Sequence, residues 1–66
     1  MNADKLKGKI RERRETYQDC AEALGITKAS FNSKINGKSR FYINEAANLG
    51  RFLHMEEMEM IDIFLK

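Results

Sequence analysis

A chain of 66 residues, 42% hydrophobic and 33% charged, has room for one small domain (residues 1–66) and leaves none for a two-domain enzyme with a deep cleft. One Cys and one His give neither a disulfide framework nor the ligand set of a structural metal, so no metal and no cofactor is expected. The net charge of +2 hides a segregation: residues 1–22 carry six basic and five acidic groups, residues 23–44 carry Lys28, Lys34, Lys38 and Arg40 with no acid, and residues 45–66 carry two basic against five acidic.

The absence of Val and Pro, with abundant Glu, Lys, Arg, Ala and Met, favours helix over strand, so an all-α fold is predicted. Uninterrupted apolar runs stop at three residues, too short for a membrane span or the apolar stretch of a secretion signal, and a cytosolic protein is expected. Leu6 and Ile10 give a thin apolar stripe to a first helix over Asp4 to Arg14, in which Gly8 suggests a close helix contact. Thr16 followed by Asp19 caps a second helix over 17–24, with Cys20, Ala21 and Leu24 inward. Gly25 ends it, Ile26 plugs the turn, and Thr27 caps a third helix over 28–36 that buries Phe31 and Ile35 and stops at Asn36-Gly37. A fourth helix presents Ile43, Ala46, Ala47, Leu49, Gly50 and Leu53 on one face, with Phe52 pointing away. In a fifth, from Met55 to Leu65, Met58, Ile61 and Leu65 share one side, while Met60, Ile63 and Phe64 fall on others.

Two short helices joined by a tight Gly turn, the second carrying small and polar residues outward, form the helix-turn-helix pattern, which residues 17–36 fit. An acid-free stretch holding four cations, beside an acidic C-terminal third, points to a polyanion as the partner of one face.

The run from Thr16 to Thr27, with Ala21, Gly25, Ile26 and Thr27 in place, followed by Ser30-Phe31 and Ile35-Asn36-Gly37-Lys38, resembles the phage repressor and Cro-like helix-turn-helix family over nearly the whole chain. The resemblance implies a compact five-helix, lambda-repressor-like bundle acting as a transcription regulator that places its third helix in the major groove of operator DNA. Lys28, Ala29, Asn32 and Ser33 would then face base edges, and Tyr17, Gln18, Lys34, Asn36, Lys38 and Arg40 phosphates. Two positions depart from the family pattern. Tyr17 stands where Gln is common, with Gln18 next, and Lys34 occupies the usual second apolar position of the recognition helix while Ile35 follows it, an offset that a slight rotation of the helix would accommodate.

No enzyme constellation is found. Cys20 sits on an apolar face without a base nearby in sequence, His54 lies at a helix corner, and Glu56, Glu57, Glu59 and Asp62 suit the dipole at a helix start. Apolar residues nearly encircle the fifth helix, so a homodimer on a two-fold operator is expected, with Phe52, Met60, Ile63 and Phe64 at its interface. No membrane partner and no small-molecule effector are expected. An alternative is a protein-interaction module, an antirepressor or antitoxin-type subunit, built on the same fold.

Overall fold

Local capping chemistry divides the chain into helices, and the computed structural model, which describes residues 1–65, contains five: α1 (Ala3–Glu12), α2 (Tyr17–Leu24), α3 (Lys28–Ile35), α4 (Ile43–Phe52) and α5 (Glu57–Phe64). The side chain of Asn2 accepts from the Lys5 amide at 3.1 Å, and Thr27 Oγ1 accepts from the Ser30 amide at 3.1 Å. Thr16 and Asp19 form a reciprocal capping box, each side chain accepting the other's backbone N–H at 3.0 and 2.9 Å. The Glu45 carboxylate accepts from the Tyr42 amide at the start of α4, and that of Glu59 from the Glu56 amide at the start of α5.

The helix ends are equally specific. Four residues take left-handed backbone angles just past a helix: Arg14 (φ 58°), Gly25 (φ 69°), Gly37 (φ 81°) and His54 (φ 53°). At each of them the next amide turns back onto the closing helix, as with Lys38 N–H on Ser33 O at 2.9 Å and Met55 N–H on Gly50 O at 2.9 Å.

Stripes spaced four apart supply the core. Leu6 and Ile10 from α1, Phe31 and Ile35 from α3, and Leu49 and Leu53 around α4 meet Cys20, Ala21 and Ile63. The α2 helix packs on α3 and α4, and α1 on α3 and α5, giving a globule of 27 × 23 × 20 Å. An aromatic chain runs through it: Tyr17 to Phe31 at 5.4 Å, Phe31 to Phe41 at 5.7 Å, and Phe41 to Phe64 at 5.9 Å. Polar ties hold α1 against the C-terminal half. Lys9 bridges Glu59 at 2.7 Å, the Asn2 amide donates to Ile63 O at 2.7 Å, and the Arg13 guanidinium donates to Leu53 O and His54 O at 2.8 and 3.2 Å. This last pair gives the carbonyls just past the end of α4 a charged donor.

Three expectations are corrected by the packing. The inward face of α5 is that of Met60, Ile63 and Phe64, whereas Met58 and Leu65 are 67% and 78% exposed. A helix that is apolar nearly all round gives its own periodicity no direction, and the α1 ties choose the face. Ile43, expected inside, is 91% exposed because the buried stripe of α4 is Glu45, Leu49 and Leu53. Gly8 makes no close helix contact: a Cβ there meets nothing within 4 Å. The close approach is at Gly50, where a Cβ would overlap the Met60 sulfur. No described helix is long and apolar enough to cross a membrane, and no strand occurs among the described residues.

Candidate nucleic-acid interface

The α2 and α3 helices are joined by Gly25, Ile26 and Thr27, the shortest link that lets one helix close in the left-handed conformation and the next be capped at once. Ile26 packs on the core and its amide donates to Ala21 O at 3.0 Å, fixing the angle between the helices. With Phe31 and Ile35 both fully buried, α3 turns Lys28 and Ala29 to solvent and keeps Asn32 and Ser33 half-exposed. The four residues expected to face base edges thus lie on outward positions of one helix. Lys28 and Ala29 are at its N-terminal end, and its first turn contains no acidic residue.

The residues expected to meet phosphates separate into groups. Asn36, Lys38 and Arg40 are exposed on the segment that leads from α3 to α4, continuous with the C-terminal end of the recognition helix. Gln18 is exposed at the start of α2, where its amide donates to Glu22 at 3.3 Å. Tyr17 is half-buried, its ring against Phe31. Asp19 lies in the same first turn, and hydrogen bonds from the Thr16 backbone and side chain hold its carboxyl below the usual range, so this helix start already carries an anion.

Lys34 is the correction. It is 7% exposed, with its ammonium 3.0 Å from Glu45 Oε1, 3.0 Å from Arg40 O and 4.7 Å from the centre of the Tyr42 ring, turned to these partners and not to solvent. The helix is not rotated to bring Ile35 in: positions 31, 34 and 35 are all inside. Burial pushes the Glu45 carboxyl up, but the Tyr42 amide and the Lys34 ammonium outweigh it and leave its pKa lowered. The acid-free composition of 23–44 hid this pairing, since the partner lies one residue beyond it in sequence and on another helix.

The residues expected to pair two copies separate: Ile63 and Phe52 pack on the core, while Met60 and Phe64 also reach an open groove. Ile63 is 3% exposed and belongs to the core, Met60 covers Gly50, Phe64 stands edge-on against Phe41, and Phe52 packs on the core from the opposite side beside Glu15, Asp19 and Glu22. Exposed apolar surface gathers around that groove, of about 1000 Å³, between the 36–41 segment, the start of α4 and α5. Ile43, Ala47, Met60, Ile61 and Phe64 line it, with Arg40 and Glu57 also at its surface.

The Cys20 thiol is buried and burial pushes its pKa up to about 11, far from a nucleophile's range. No group of three or more His, Cys, Asp or Glu side chains gathers in metal-binding geometry among the described residues.

Comparison with protein-family models, with curated proteins and with solved structures gives no significant match.

Proposed function

We propose that this chain is a sequence-specific DNA-binding regulator that inserts α3 into the major groove, reads base edges with Lys28, Ala29, Asn32 and Ser33, and holds the flanking phosphates with Asn36, Lys38 and Arg40. The observation that carries the reading is the outward side of α3. A capped helix, tied to the core by Phe31 and Ile35, offers a cation, a methyl group, an amide and a hydroxyl at solvent-facing positions, with two exposed cations on the segment that follows it. Those groups match the major-groove code: a Lys ammonium for guanine O6 and N7, an Asn amide for adenine, a methyl for thymine. The acidic residues 56–62 belong to α5 and the turn before it, where Lys5 and Lys9 engage Asp62 and Glu59.

The chain is proposed to act as a homodimer whose two-fold contact is the groove around Ile43 and Ile61. Ile43, 91% exposed, and the half-buried Ile61 put apolar surface at that groove, which a second copy would cover.

The test compares two variants. Asn32→Ala should cost about 1 to 3 kcal/mol at one base position of the preferred site, whereas Lys38→Ala should weaken every sequence alike and lower the salt slope by about 1. Uniform effects from both would remove Asn32 as a reader. If the wild-type chain shifts no duplex at low salt while Ile43→Glu disrupts a complex with another protein, the surface serves protein interaction instead.

A further inference from the structure

The ammonium of Lys34 joins three segments. It projects from α3 and lies within 3.0 Å of both the Arg40 carbonyl in the following loop and the Glu45 carboxylate on α4, under the ring of Tyr42. The same Glu45 oxygen accepts the Tyr42 amide at 2.9 Å. Stability alone does not explain this arrangement. Taking two charges out of water offsets most of their attraction, and a well-packed apolar pair of similar volume commonly does as well or better. What the ammonium adds is direction, because its donors must point at fixed acceptors. The loop it ties down contains Gly37 at φ 81° and carries two of the exposed cations of the 23–44 stretch, Lys38 and Arg40. Amides of Lys38 and Ser39 on Ser33 O hold the start of the loop and the Phe41 ring packs on Phe31 and Phe64, so the clamp bears on Arg40, whose phosphate contact would otherwise cost ordering entropy.

We propose that Lys34 and Glu45 form a positioning clamp that fixes the Arg40–Tyr42 end of the loop against the recognition helix, so that Arg40 meets a phosphate while Asn32 and Ser33 meet bases. Lys34 acts through the loop and touches no DNA itself. The proposal rests on the DNA-binding reading, and its test separates the two.

The double variant Lys34→Met with Glu45→Leu, made in the full chain, removes the clamp and supplies apolar bulk. Its melting temperature should fall only modestly, through loss of the Glu45 acceptor on the Tyr42 amide at the start of α4. In the free protein, the backbone amide order parameter of Arg40 should fall from about 0.85 to below about 0.6. Binding to random-sequence duplex DNA should weaken, with the slope of log affinity against log salt reduced by up to about 0.9 per protomer, for the one phosphate contact of Arg40. Glu45→Gln, which keeps an acceptor for both Lys34 and the Tyr42 amide, should retain loop order and slope. A folded double variant with an ordered loop and an unchanged slope overturns the clamp. If the double variant does not fold, Lys34→Gln, which leaves Glu45 on the Tyr42 amide, decides the matter: loss of order at Arg40 supports the clamp, and an ordered Arg40 with an unchanged slope overturns it. Wild-type protein that ignores duplex DNA at low salt defeats the DNA reading instead, and the order parameters of the free protein then decide whether the clamp exists.

Discussion

Replacing Phe31 by Leu tests the packing that holds the recognition helix at its angle. The Phe31 ring is fully buried and makes two ring contacts, tilted against Tyr17 at 5.4 Å and edge-on to Phe41 at 5.7 Å. Aromatic pairs of this kind contribute about 0.5 to 1.5 kcal/mol each beyond area burial, so losing both costs about 1 to 3 kcal/mol before any cavity term. A domain of 66 residues has on the order of 3 to 10 kcal/mol in total. Phe31→Leu should therefore remain folded but lose about 8 to 16 °C in melting temperature, taking about 2 kcal/mol at 4 to 8 °C per kcal/mol. Phe31→Ala, at about 3 to 5 kcal/mol, should unfold much of the population. Far-UV circular dichroism on heating and in urea reads both. A Phe31→Leu protein that melts with wild type would refute the reasoning, because the ring would then not be the joint between α2, α3 and the loop.

Gly8→Ala should stabilise the fold by about 1 kcal/mol, since the added methyl meets nothing and α1 gains a better helix residue, whereas Gly50→Ala should destabilise it by displacing Met60; thermal melts give both signs. Stability should fall with acid below about pH 5. The folded pKa values of Glu45, Asp19 and Glu59 lie below their ordinary values, so their contribution is present above the unfolded value and is lost as pH falls through the folded one; melting temperature against pH reads this. Cys20 has the opposite sense, with its folded value raised, so stability should fall as pH rises above the ordinary thiol range toward 11, and a thiol reagent at pH 8 should label the native protein only at its rate of opening.

The parts legible in the sequence are those in which local chemistry acts alone. Thr16 with Asp19, Gly25, Thr27 and Asn36-Gly37 each determine the backbone within four residues, and α2 and α3 lie where these signals put them. Phe31 and Ile35 could be placed inside because the rest of α3 is polar or small. The rotation of α5 could not be read, since its apolar residues lie on several sides and the choice depends on Lys9 and Asn2, fifty or more residues before their partners in the chain. Lys34 was misplaced on similar grounds. Charge favours the surface unless a partner is buried with it, and Glu45 becomes that partner only once α4 is folded onto α3. Ile43 misled because it fits the apolar period of α4, yet the structure leaves it at the first turn, facing the open groove.

Selection of bound duplexes from a random-sequence pool tests the central claim most directly, because it asks both whether α3 reads bases and whether two copies act together. The expected result is an enriched motif of two inverted half-sites with centres about 10 base pairs apart, one helical turn. It should be lost in Ile43→Glu and altered at a single position of each half-site in Asn32→Ala. A pool that returns unenriched, or an enriched motif indifferent to every substitution on the outer face of α3, would contradict the account.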